Sequence, residues 1–246
     1  MHPLIARYLS PEAARDTLQK EKDDAPLEPE ERLFAQTAAA HPDKRGTLLG
    51  GKDKRHLSSD AEAAVIFLAA YAATRALSED STLAPVTAKA REALKAEGAS
   101  EDETDAFIAS ILMEEAFGYE QEVEAFDSTY VQETLGEVPA LAALSREQVD
   151  ALIIGLERSA RDEKERDARA RLSRALVNIA WEEGPTPINP EHIEALYEAE
   201  IDGKSEAEME AGLRAAVDFL QVLAREGLVG PQRLSRLRAQ LGDEEA

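Results

Sequence analysis

The pattern that most constrains this chain is an echo without gaps. LAPVTAKAREALKAEGASEDETDAFI around Pro85 is answered by INPEHIEALYEAEIDGKSEAEMEAGL around Pro190, 105 residues later. In that register Pro85 meets Pro190, Gly98 meets Gly203, Ser100 meets Ser205 and Glu103 meets Glu208. Proline suits the first turn of a helix, and glycine the left-handed residue just past its end. The pattern S-x-x-E closes a capping box at the start of the next helix. The echo therefore predicts helix, turn and capped helix, stated twice, in two similar helical halves that an internal duplication would produce.

Composition agrees with helices. Hydrophobic residues make up 43% of the 246 positions but aromatics only 5%, and alanine is abundant. Alanine, leucine, glutamate and arginine are strong helix formers, whereas the β-branched and aromatic residues that favour strands are sparse. No segment alternates apolar and polar residues with period two. The expected fold is all-α, a multi-helix bundle built from two halves.

Fifty acidic residues against 28 basic ones give a formal charge of −22. Such a surface repels phosphates and anionic lipid headgroups, so nucleic-acid binding is not expected, and a basic protein surface is the natural electrostatic partner. With no cysteine, the chain has neither disulfides nor thiolate chemistry. It has no apolar run long enough to cross a membrane and no signal-peptide pattern, so no membrane insertion and a cytoplasmic location are expected.

Three regions follow from the punctuation. Residues 1–57 read as an N-terminal helical arm whose first 27 residues are loosely attached, with helices from Pro11 and from Pro29 and a glycine-containing basic loop at 41–57. Residues 58–140 form the first helical half. Residues 141–246 form the second, closed by a short basic helix. In the apolar helix AEAAVIFLAAYAATRAL, Phe67, Ala70, Tyr71 and Thr74 have the spacing of a buried stripe. The charged run from Ser159 to Arg171 is expected to break near 159–162.

Several motifs invite a chemical reading. Gly46 to Lys52 spells GxxxxGK, the glycine loop that cradles phosphates, but Asp53 follows where a magnesium-binding hydroxyl belongs, and no strand precedes it. His41-Pro42-Asp43 resembles the tripeptide that marks J-domain co-chaperones, which implies contact with a chaperone partner. His41 and Asp43 of the tripeptide, with the basic residues Lys44, Arg45, Lys52, Lys54 and Arg55, are accordingly candidates for partner binding. The carboxylates from Glu114 to Asp127 read as a solvated acidic face. No Glu-x-x-His pair and no EF-hand loop is present. Of the four histidines, none has a nucleophile at catalytic spacing, and a non-enzyme without a cofactor is expected.

Each copy also resembles, as a unit, the helical TerB-like domains of tellurite-resistance proteins. The resemblance rests on an apolar helix, an acidic turn, an apolar anchor and a serine-capped helix. In the second copy these are Glu182-Glu183-Gly184, Ile188, Pro190-Glu191 and Ser205-Glu206 with Glu208. In the first they are Glu79-Asp80, Leu83 and Ser100-Glu101 with Glu103. The resemblance implies a metal-associated, stress-linked role in which Glu79, Asp80, Glu182 and Glu183 bind cations. From the residues themselves, the leading expectation is an acidic helical adaptor that binds a protein partner. The alternatives are the metal-associated protein, a co-chaperone, and a nucleic-acid mimic that inhibits a basic protein.

Overall fold

In the computed structural model the described residues are 1–50, 59–117, 126–139, 141, 144–182 and 187–242. Among them the chain forms thirteen helices and no strand. The first eight are α1 (Pro3–Arg7), α2 (Pro11–Lys22), α3 (Pro29–Ala40), α4 (Pro42–Gly50), α5 (Ser59–Leu77), α6 (Ala84–Ala96), α7 (Glu101–Phe117) and α8 (Ser128–Glu137). The remaining five are α9 (Arg146–Arg158), α10 (Glu163–Glu182), α11 (Pro190–Glu200), α12 (Glu206–Arg225) and α13 (Pro231–Gln240). Two compact units divide the chain, one of residues 1–91 and 99–131, the other of residues 92–98 and 132–246.

The first unit is organised around α5, which packs against α1, α2, α3, α4 and α7. Its sequence explains this. Ala61, Ala64, Ala69, Ala70, Ala72 and Ala73 are all buried together with Val65 and Leu68, and a helix that is apolar all round must be covered all round. Small side chains let the surrounding helices approach closely. The N-terminal arm supplies part of that cover and is not loosely attached: Leu4, Ile5, Tyr8, Ala14 and Leu18 are fully buried. Tyr8 stacks on Phe34 with ring centroids 4.0 Å apart, and its hydroxyl meets Thr17 Oγ1 at 3.1 Å. Glu31, buried in α3, draws in Arg7 from α1 at 2.9 Å and Lys20 from α2 at 2.7 Å.

Two expectations are corrected here. Residues 42–50 of the expected loop are the helix α4. Pro42 sits in its first turn beside Asp43, the arrangement that favours a helix start. Gly46 and Gly50 each cost about 1 kcal/mol relative to alanine, but Leu48 is fully buried and Arg45 pairs with Glu21 at 2.8 Å. Tertiary contact overrides local propensity. Glycines 46 and 50 therefore lie on a helix and form no phosphate-cradling loop, while Gly51 and Lys52 fall outside the described residues. The second correction concerns α5: Ala70 and Thr74 are buried, but Phe67 and Tyr71 are only half-buried.

The second unit has α10 at its centre, packed on α9, α11 and α12. Leu172, Leu176, Val177 and Ala180 of α10 meet Phe219, Leu220 and Leu223 of α12 and Ile153 and Leu156 of α9 in one core. Unlike α5, α10 keeps an open face on which Arg171, Arg174 and Asn178 are exposed. Arg171 pairs with Glu200 and Arg174 with Glu157. The chain breaks between Arg158 and Glu163, as the charged run suggested. Trp181 sits at the end of α10, donating its indole N–H to the Leu141 carbonyl at 3.2 Å, with Arg146 over its ring.

The helix bounds follow the register of the echo. Shifted by the distance from Pro85 to Pro190, α4 falls on α9, α5 on α10, α6 on α11, α7 on α12 and α8 on α13, with ends that agree to within three residues. Gly98 and Gly203 both have positive φ, 98° and 71°. Ser100 N donates to Glu103 at 2.7 Å, and Ser205 N donates to Glu208 at 3.1 Å. Those hydroxyl and amide donors hold both glutamates below the usual carboxylate range.

Candidate functional site

Of the expected partner-binding residues, His41, Asp43, Lys44 and Arg45 lie at one corner of the first unit, where α3 turns into α4 against α5. His41 ends α3, its N–H donating to the Thr37 carbonyl, and its own carbonyl accepts from Arg45 N. The HPD tripeptide is thus a kink between two helices. The His41 ring meets Phe67 edge-on at 5.1 Å and Tyr71 at 5.0 Å, and those two rings stack on each other at 4.1 Å. Lys44 Nζ lies 5.2 Å from the Phe67 ring centre, within cation–π range. Burial pushes the Tyr71 phenol up, and the charges of Asp105 and Asp102 add to this. Asp43 and Lys44 are exposed. Lys52, Lys54 and Arg55 lie outside the described residues.

Of the turn carboxylates, Asp80 is engaged in capping a turn. Asp80 Oδ1 accepts from Thr82 N at 2.8 Å and from Leu83 N at 2.9 Å, capping the turn that leads into α6. The Leu83 amide, then that of Thr82, hold this carboxyl below its ordinary range. Glu79 is exposed in the same turn, Glu182 is the exposed last residue of α10, and Glu183 falls outside the described residues. Among the described residues no three metal-ligating side chains come together. Asp80→Ala is expected to lower stability by about 1 kcal/mol through the lost cap, to the same extent with and without added calcium. Urea melts of both proteins check this, and a calcium-dependent gain confined to wild type would restore the metal role.

Further polar positions depart from their sequence reading. Glu115 does not belong to a solvated acidic face: it is 1% exposed, and its Oε1 accepts from the Met1 amino group at 2.8 Å and from Asp127 N at 3.0 Å. Glu114 accepts from the Tyr130 hydroxyl. His192 is buried as a cap, since Asn189 N donates to its Nδ1 at 3.0 Å and His192 N donates to Asn189 Oδ1 at 2.9 Å.

Two arrangements in the second unit left no trace in local sequence. The larger joins α8 to α13. Arg233, 1% exposed, donates to Glu137 Oε2 at 3.0 Å, to Thr134 Oγ1 at 3.2 Å and to the Ile188 carbonyl. Glu137 Oε1 accepts from Gly230 N at 2.7 Å, and Glu133 Oε2 accepts from Gln232 N at 3.0 Å. Two carboxylates one turn apart on α8 thus cap the start of α13. QRLSRLRAQL reads as a short basic helix, and nothing local marks Arg233 as buried.

The other is a cleft of about 330 Å³ between α9 and α12, floored by Arg169. Its volume lies at the low end of the ligand-site range. Arg169 donates to Asp218 at 2.7 Å and to Ser159 Oγ at 2.8 Å, pairs with Glu165 at 2.8 Å, and also reaches the Leu156 carbonyl. These charges satisfy one another and pin three helices together.

No protein-family model, curated protein or solved structure gives a significant match to this chain. The fold defines the class, an all-α multi-helix protein in which no described helix is long and apolar enough to cross a membrane.

Proposed function

We propose that this chain is a non-catalytic helical interaction module that binds a protein partner through the α3–α4–α5 corner of its first unit. The observation that carries the reading is the half-exposed ring cluster of His41, Phe67 and Tyr71 with Lys44 over one ring. Rings of this kind supply contact area at low entropic cost, because their neighbours already fix them, and aromatic residues are enriched at protein interfaces. The flanking Asp43 and Lys44 add orienting charges, which set specificity and encounter rate more than affinity. The acidic background favours a partner with a basic surface.

The test compares proteins captured from the native host by wild type and by Asp43→Arg and Lys44→Glu. Both positions are exposed, so the fold is retained, as circular dichroism would check. A partner retained by wild type and lost by at least one variant supports the reading. An identical set of captured proteins from all three overturns the corner as the contact surface.

A further inference from the structure

The exposed side of α9 carries a pattern that its own unit does not use. Glu147, Asp150, Ala151, Ile154, Gly155 and Arg158 are all exposed and share one helix face by their spacing. Ile154 is 40% exposed, one of few large apolar side chains so placed. Gly155 lies inside the helix, where glycine costs about 1 kcal/mol relative to alanine. No atom outside the neighbouring backbone lies within 4 Å of where its Cβ would stand, so nothing in the unit requires its small size. Ala151 and Gly155 also line the cleft against α12.

The charges on this face are ordered. Glu147 and Asp150 stand at its N-terminal end and Arg158 at its C-terminal end, and none of them pairs with a described residue. Two such faces are complementary only when they run antiparallel. Setting Glu147 opposite Arg158 of a second copy places Ile154 opposite Ala151 and Asp150 opposite Gly155. The large apolar side chain then enters the hollow left by the small residues, and both ends gain an ion pair.

We propose that a second copy of this chain docks on α9, the two α9 helices pairing antiparallel about a two-fold axis with Ile154 seated over Ala151 and Gly155. A two-fold interface uses the same patch on both subunits, which is what a self-complementary face provides. One helix pair buries less than the roughly 1,200 Å² of a standard interface, so the dimer is expected to be weak and to dissociate on dilution.

Sedimentation velocity on the full chain, at loadings from about 1 to 500 μM, reads the association directly. Wild type is expected to pass from monomer to dimer. Ile154→Lys should weaken the dimer at least about tenfold through lost apolar burial. Arg158→Glu should weaken it by setting like charges at both ends, and Glu147→Arg should do the same. The double variant Glu147→Arg with Arg158→Glu should recover most of the loss, because each exchanged pair is rebuilt across the axis. All these positions are exposed, so folding is not at stake. A monomer at every loading, or a dimer indifferent to Ile154→Lys, overturns the proposal. A double variant as weak as the singles overturns the antiparallel register.

Discussion

Glu137→Leu, measured at pH 8, is expected to lower the stability of the second unit by about 3–5 kcal/mol. The carboxylate and Arg233 are both almost wholly buried, and removing either one breaks their pairing in a medium that solvates charge poorly. Arg233→Met alone should cost a similar amount, since among the described residues Glu137 then keeps the Gly230 N–H as its one hydrogen-bond donor. The double variant Glu137→Leu with Arg233→Met is expected to recover most of that loss, because well-packed apolar groups replace a buried pair at little net cost. Denaturant melts of all four proteins close the cycle. Costs that simply add would show that the two side chains act independently.

The same pair sets a pH dependence. Burial pushes the Glu137 carboxyl up to about 7, while Arg233 and the Gly230 amide pull the other way and Glu133 adds to the rise. A folded-state value above the ordinary one means that the folded chain holds this proton more tightly than the unfolded chain. The resulting stability is fully present below about pH 4.5 and is withdrawn as pH rises through 7, by at most about 3 kcal/mol. Glu137→Gln should flatten that slope between pH 5 and 8.

Gly230→Ala is expected to be nearly as damaging, by about 2–3 kcal/mol, from overpacking and a lost cap together. Gly230 has an ordinary φ of −70°, so the glycine is not there for backbone freedom. It is there because an added Cβ would lie 2.8 Å from Glu133 Cδ and 2.9 Å from Glu133 Cβ. The second of these is close to the α8 backbone, so a rotamer change does not relieve it. Glu133 must withdraw, and the amides of Gln232 and Arg233 lose their acceptor. Gly230→Ala with Glu133→Ala should remove the contact with the carboxyl group but neither the one with Cβ nor the loss of the cap, recovering less than half the cost. A single variant as stable as wild type would show that α13 can shift freely on α8.

Much of the scaffold was legible because helix ends are written locally. Pro29 and His41-Pro42 bound α3, Ser145 opens α9 through its capping box with Gln148, and Gly98 and Gly203 mark helix ends by backbone conformation. What failed depended on partners distant in sequence. The helix α4 contains two glycines and forms because Leu48 finds a core. Phe67 and Tyr71 have the spacing of a core stripe, yet the alanines beside them take the interior and leave the rings at the surface with His41. Arg233 and Glu137 are 96 residues apart, and no local window contains their pairing. Of the expected site, His41, Asp43, Lys44 and Arg45 do gather at one corner. Of the turn carboxylates, Asp80 serves as a cap, because a residue fit to bind a cation is equally fit to cap a helix.

Trp181 gives the molecule a built-in reporter. It is the chain's one tryptophan, and its indole is fixed by the Leu141 carbonyl and by Arg146 within the second unit. Its emission therefore follows the loosening of that unit alone, whereas far-ultraviolet ellipticity sums over every helix. Ellipticity that falls while the emission maximum holds still would mark the first unit melting by itself. No label or truncation is needed to see it.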